Sequence, residues 1–234
     1  MTIEEVLEKV PALQEYICTM PEDIRKRCVV KVHPPGFIIH QKDAALDYFG
    51  IVASGEHRVI NEFENGNVFM IERNEPIDFI GEVTILANQP RTSVTIETTT
   101  ENIILYMSRQ DFENWIKTDI HFLRLVASKI AFKLYRSSYN RGAKLFYPPQ
   151  YLLLDFLIQY AYQHQIERKG QITVPFTRQE LFEEIGVSVK TLNRTIAKLK
   201  AEQLISITKG KITMTVKQIE AAQTYLKEIK MFGK

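Results

Sequence analysis

The chain has 234 residues, of which 45% are apolar and 25% charged. That is a globular composition; it excludes intrinsic disorder and leaves room for one large domain or two modest ones. The net charge of +2 hides an asymmetry, because residues 1–147 carry 17 basic against 20 acidic groups and residues 148–234 carry 13 against 8.

No apolar stretch approaches the roughly 18 residues that a membrane span needs, and the start Met1-Thr2-Ile3-Glu4-Glu5 has neither the basic nor the apolar part of a signal peptide. Two cysteines, Cys18 and Cys28, build no disulfide framework and fit no zinc spacing. The expectation is a cytoplasmic protein with no membrane partner.

Two short helical patterns open the chain, with Pro11 ending the first after Val10. From Cys28 to Met107 the signal is strands: 29–32, 37–40, 49–53, 58–60, 68–71 and 103–107 are short runs rich in β-branched and aromatic residues. Pro34-Pro35-Gly36, Ser54-Gly55 and Glu64-Asn65-Gly66-Asn67 supply the turns between them. Asn65-Gly66 predicts a tight hairpin, since both residues tolerate positive φ. Many short strands at this spacing predict an antiparallel barrel or double-sheet roll.

After Arg109 the period changes from 2 to 3.6, and a helix of up to 28 residues is predicted over 119–146. Leu123, Ala127, Ile130, Leu134, Ser137, Arg141 and Lys144 follow 4-3-4-3-4-3 spacing, a heptad seam. Such a helix outruns a domain of about 110 residues, so the seam predicts a homodimer; a helix packed only on its own barrel is the other reading. Pro148-Pro149 closes it and opens a strongly apolar helix over 150–164. The predicted organisation is a sensing domain at 1–118, a dimerisation helix and hinge at 119–147, and a second domain at 148–234.

The second domain carries the positive charge. Seven basic residues against Glu202 alone fall within 188–217, the electrostatic footprint of a polyanion partner. Thr177-Arg178-Gln179-Glu180 is a capping box. A short helix follows, with Leu181 and Ile185 inward; Gly186 supplies a tight turn, and Ser188 caps a second helix through Lys200. Leu192, Ile196 and Leu199 face inward there, leaving Val189, Lys190, Asn193, Arg194 and Ala197 outside. Segments 205–208 and 212–215 alternate around Lys209-Gly210-Lys211, a wing with a basic tip. Together these read as a winged helix-turn-helix for double-stranded DNA. The competing reading is a ligand-binding module whose winged helix contacts protein. A last helix is predicted over 216–230, with Ile219, Ala222, Leu226 and Ile229 inward.

The run from Phe176 to Arg194, with Glu202-Gln-Leu-Ile205 after it, resembles the helix-turn-helix of transcription regulators related to the cyclic-AMP receptor protein and the fumarate-nitrate-reduction regulator. Over most of the chain the resemblance implies an α+β fold: an N-terminal antiparallel β-roll of the cyclic-nucleotide-binding type, a long dimerisation helix and a C-terminal winged helix. It implies phosphate contacts from Arg178 and Gln179 and base reading from positions 189, 190 and 194. Ser188, Thr191, Asn193, Lys209 and Lys211 complete the expected DNA contacts. Val189 and Lys190 depart from the Arg-Glu pair of the receptor protein, so its operator does not carry over. Residue 194 matches the family arginine. An inverted-repeat operator and RNA polymerase are the implied partners.

Phe79-Ile80-Gly81-Glu82-Val83-Thr84-Ile85-Leu86, followed by Arg91-Thr92-Ser93-Val94, resembles the phosphate-binding cassette of cyclic-nucleotide-binding domains. Gly81 allows close backbone approach, Arg91 offers a forked donor to phosphate, and Glu82 can accept from a ribose hydroxyl. Gly81, Glu82, Val83, Arg91 and Thr92 are thus the candidate effector residues, with Ser137 and Ser138 implied at the nucleobase. A cyclic nucleotide, another small effector, and no ligand with Glu82 and Arg91 merely paired are the three readings left open. The five histidines show no paired ligand spacing, and the cysteine set of an iron–sulfur sensor is missing, so no metal or cluster is expected. No nucleophile elbow, P-loop or GxGxxG occurs, and no catalytic constellation is found. Trp115, Phe122, Phe132 and Tyr135 are expected in the core.

Overall fold

The computed structural model describes residues 1–64 and 68–232, the side chains of 139–145 and 232 excepted. The predicted hairpin turn at Asn65-Gly66 and the seam positions Arg141 and Lys144 lie outside the described residues and side chains. The chain divides into two compact units, Met1–Ser138 and Tyr139–Lys234.

The first unit opens with α1 (Ile3–Lys9), whose Thr2 and Glu5 form a capping box, a 3₁₀ turn at Pro11–Leu13, α2 (Gln14–Ile17) and α3 (Glu22–Arg27). Among the described residues eight strands follow: β1 (Val29–His33), β2 (Ile38–His40), β3 (Tyr48–Ser54), β4 (His57–Glu62), β5 (Val68–Asn74), β6 (Asp78–Ile80), β7 (Thr95–Thr98) and β8 (Asn102–Ser108). They build two four-stranded sheets, ordered β1-β8-β3-β6 and β2-β7-β4-β5, with every strand pair antiparallel. The strands flanking residues 65–67 pair from Glu62 opposite Val68 outward.

Alternation along β3 and β8 explains the packing. Successive side chains point to opposite faces of a sheet, and here both faces are covered, so the strands read as nearly continuous apolar runs. Val52, Ile80 and Ile104 meet Ile96, Ile39 and Val59 of the second sheet, closing the roll. Phe49, Ile51, Leu105 and Met107 face the other way, onto the N-terminal helices and α5 (Arg109–Thr118). Phe112 of α5 stacks on Phe49 at 4.0 Å between ring centroids. Between β6 and β7 a single short helix, α4 (Glu82–Leu86), interrupts the sheet.

The long helix α6 spans Ile120–Phe146. Asp119 precedes it, its carboxylate accepting from the amides of His121 and Phe122 and from Trp115 Nε1. Phe122 and Val126 are buried, and Phe122 stacks on Trp115 at 3.6 Å. Phe132 and Tyr135, expected in the core, are instead 58% and 80% exposed. At roughly 100° per residue Phe132 falls about 80° and Tyr135 about 140° round the helix from Phe122, off the buried line, so aromatic spacing alone does not bury them.

The second unit contains α7 (Pro149–Gln163), with Pro149 in its first turn, α8 (Ile166–Lys169), β9 (Gln171–Val174), α9 (Arg178–Ile185), α10 (Val189–Ala201), β10 (Ser206–Thr208), β11 (Lys211–Thr215) and α11 (Val216–Phe232). Tyr151, Leu154, Leu157 and Ala161 of α7 form the centre of its core with Leu181, Leu192, Leu199 and Met214. Ile219, Ala222, Leu226 and Ile229 of α11 pack into the same cluster. The wing strands β10 and β11 pair with a third strand, β9.

Candidate DNA interface and effector cassette

In the second unit the Thr177 hydroxyl accepts from the Glu180 amide while the Glu180 carboxylate accepts from the Thr177 amide. This fixes the start of α9. Gly186 ends that helix at φ +78, a conformation natural to glycine. Two residues later Ser188 Oγ accepts from Thr191 N at 3.1 Å and opens α10. The short link holds α10 with Leu192, Thr195, Ile196 and Leu199 buried and Val189, Lys190, Asn193, Arg194 and Ala197 exposed.

The side chains expected to touch DNA divide into two groups. Lys190, Asn193, Arg194 and Val189 share one exposed face of α10, and Lys209 is exposed at the wing tip. Lys209 and Gly210 both have positive φ, +49 and +78, which suits a two-residue turn between β10 and β11. The others have local partners. The Ser188 and Thr191 hydroxyls lie 2.9 Å apart. Lys211 donates to the Pro175 carbonyl, and Gln179 Nε2 donates to Glu183 Oε1 at 3.2 Å. Arg178 is half-buried. The bonds of Gln179 and Lys211 within the domain were not visible in the sequence, whereas the cap at Ser188 was.

In the first unit, Gly81 turns the chain from β6 into α4 at φ +92, where a Cβ would stand 3.0 Å from the Tyr48 carbonyl oxygen and 3.1 Å from Leu46 Cδ2. Only glycine combines that angle with that space. The turn drives Glu82 inward, 2% exposed, while Val83 and Leu86 stay on the surface. Arg91 is exposed, its Nη1 donating to the Asp43 carbonyl at 2.6 Å. Thr92 is buried, and its hydroxyl donates to the Gln41 carbonyl at 2.7 Å. Arg91 and Thr92 are thereby laced to the 41–45 segment.

One reading of this cassette needs correction: Glu82 is not paired with Arg91, and its Oε1 lies 2.8 Å from Lys133 Nζ of α6. Ser137 is half-buried and Ser138 exposed on α6.

The Lys133 ammonium also stands 3.0 Å from Asp78 Oδ2, which lies 3.3 Å from Nε2 of the fully buried His57. Burial pushes the Glu82 carboxyl above its usual value by more than Lys133 offsets. Burial pushes Asp78 the same way, but the His57 imidazole and the Lys133 charge outweigh it and hold Asp78 low. Burial would lower Lys133, yet Glu82 and Asp78 hold it above the ordinary lysine value. One helical turn on, Arg136 Nη2 reaches Glu72 Oε2 at 2.8 Å and Asn74 Oδ1 at 2.9 Å. Sequence reading missed both cations, because their partners lie 51 to 64 residues away in the chain.

Two family models match the chain: the cyclic nucleotide-binding domain over residues 30–119 and the Crp-like helix-turn-helix domain over residues 152–221. The CRP-like cAMP-activated global transcriptional regulator of Mycobacterium tuberculosis is 24% identical over 166 residues, 70% of this chain and 74% of that one. The cAMP-activated global transcriptional regulator CRP of Salmonella typhimurium is 25% identical over 170 residues, 72% of this chain and 80% of the relative. Among solved structures, the c-di-GMP responsive global regulator CLP of Xanthomonas campestris superposes with a TM-score of 0.72 at 15% identity, covering 81% of this chain and 95% of that one. FixK2 from Bradyrhizobium japonicum gives 0.65 at 15% identity, covering 84% and 96%. Among the described residues no helix is long and apolar enough to cross a membrane.

Proposed function

Because the chain belongs to the family of transcription regulators related to the cyclic-AMP receptor protein and the fumarate-nitrate-reduction regulator, we propose that it acts as a homodimer on an inverted-repeat operator under the control of a small anionic effector. The family is one of DNA-binding regulators, not of enzymes.

The observation that carries the DNA reading is the exposed face of α10, where Lys190, Asn193 and Arg194 stand together above a buried apolar face and behind a capped N-terminus. A recognition helix enters the major groove by its N-terminal residues. Arg194 there pairs bidentately with guanine O6 and N7, Lys190 reaches guanine or phosphate, and Val189 offers apolar contact to a thymine methyl. Lys209 and Arg178 hold phosphates and set register. RNA polymerase is the further partner of the DNA-bound dimer.

Dimerisation falls to α6. Leu123, Ala127 and Leu134 are exposed along one stripe, roughly 100° round the helix from the inward line of Phe122 and Lys133. Ile130 sits between the two faces and packs partly on its own core.

For the effector, the Gly81 turn and the Arg91 guanidinium fit a phosphodiester, a cyclic nucleotide being the leading class. With Lys133 on Glu82, the sugar contact expected there requires this ion pair to open. The reading is tested by anisotropy titration of a duplex at several salt concentrations. Affinity falls linearly on the logarithmic scale as counterions are released, and Lys209→Ala flattens the slope. A salt-independent signal, or none, would assign the winged helix to protein contacts instead.

A further inference from the structure

We propose that the base of the effector is guanine, read by Glu72 and Arg136. This rests on the nucleotide reading above and adds the identity of the base.

The ionic strip beneath α6 has a closed end and an open end. At the closed end the side chains of Asp78 and Glu82 are each 3% exposed and Lys133 sits between them. At the open end, one turn along the helix, Arg136 is 36% exposed and Glu72 14%. Residues three apart on a helix share a face, so Arg136 continues the line that Lys133 begins at the cassette. Lys133 already anchors α6 to the roll through a buried pair. The second pair is the more accessible of the two, through Arg136. Arg136 Nη2 takes both Glu72 Oε2 and Asn74 Oδ1, while Asn74 Nδ2 donates to Glu72 Oε1 at 3.3 Å. The carboxylate is therefore held in place, and each of its oxygens keeps a second lone pair.

A fixed carboxylate beside a fixed guanidinium distinguishes the purines. Guanine presents two adjacent donors, N1–H and the N2 amine, which a carboxylate accepts together, and O6 and N7 as acceptors for arginine. Adenine places the bare lone pair of N1 next to its amine, so the same carboxylate meets one donor and one repulsion. A site built to accept two donors rejects the analogue that lacks one, because a polar group is left unpaired.

The test is calorimetric titration of the full chain with cyclic GMP and cyclic AMP, for the wild type, Glu72→Gln and Arg91→Leu. The expected result is cyclic GMP bound at least tenfold more tightly than cyclic AMP by the wild type. Glu72→Gln should abolish that preference, weakening cyclic GMP and leaving cyclic AMP bound at least as tightly as by the wild type, because the repulsion of adenine N1 is gone. Cyclic AMP bound equally or better by the wild type, and lost in Arg91→Leu, overturns the guanine assignment and leaves the nucleotide reading standing. No binding of either nucleotide overturns both. Should Glu72→Gln fail to fold, the wild-type ratio alone decides.

Discussion

Lys133 Nζ stands 2.8 Å from Glu82 Oε1 and so joins the long helix directly to the cassette that opens at Gly81. The same ammonium holds Asp78 at 3.0 Å. One cation thus neutralises two buried carboxylates from different elements.

Breaking this arrangement at one partner should be costly. Lys133→Met leaves Asp78 and Glu82 buried without a counter-charge, and removing one member of a buried pair typically costs about 3–5 kcal/mol. Glu82→Gln in the same chain should recover part of that loss, since it removes one of the stranded charges. Denaturant unfolding of the two variants against wild type checks both statements. Equal stability of Lys133→Met and wild type would show that the pair does not hold α6.

Acid should weaken the β-roll through His40. Burial pulls its imidazole down to about 4, and Nδ1 lies 2.8 Å from the Tyr48 hydroxyl. A histidine whose folded value lies below its unfolded one binds more protons when unfolded. Its contribution is therefore complete above about pH 6.5 and is lost as pH falls towards 4. At about 1.4 kcal/mol per unit, the loss is about 3 kcal/mol. Unfolding free energies measured from pH 7 to 4.5 should show this decline, and His40→Phe should flatten it.

The dimer prediction is sharpened by the exposure pattern of α6. Leu134 is 65% exposed and Leu123 lies on the same stripe, whereas Ile130 leans on its own core. The informative variant is therefore Leu123→Asp/Leu134→Asp, which leaves the roll intact and places paired carboxylates in the seam. Light scattering should give twice 27.2 kDa for wild type and 27.2 kDa for the variant. An unchanged mass would remove the seam from the interface.

What the sequence disclosed depended on how local the signal was. The capping box at Thr177, the turn at Gly186 and the exposed face of α10 follow from residues a few positions apart, and the structure reproduces their spacing. β6, β7 and β9 escaped because runs of three or four residues carry too little periodicity to separate them from loop. β9 exists because β11 offers it an edge, from Ile212 opposite Val174 to Thr215 opposite Gln171. The electrostatics of the cassette were hidden for a related reason. One of the open readings paired Glu82 with Arg91, nine positions on, whereas the fold brings Lys133 to Glu82 from 51 residues away and gives Arg91 the Asp43 carbonyl. Phe132 and Tyr135 show the converse error, in which a helical period was read as burial although a helix has more than one face.

The central claim is that α10 reads a two-fold operator, and selection from random duplex DNA with wild type and Arg194→Ala tests it most directly. Wild type should yield an inverted repeat with half-sites about one turn, roughly 34–36 Å, apart. Arg194→Ala should keep the repeat and relax one position in each half-site, a loss of about 1–3 kcal/mol of discrimination there. A motif without two-fold symmetry, or one that Arg194→Ala leaves unchanged, would contradict the account.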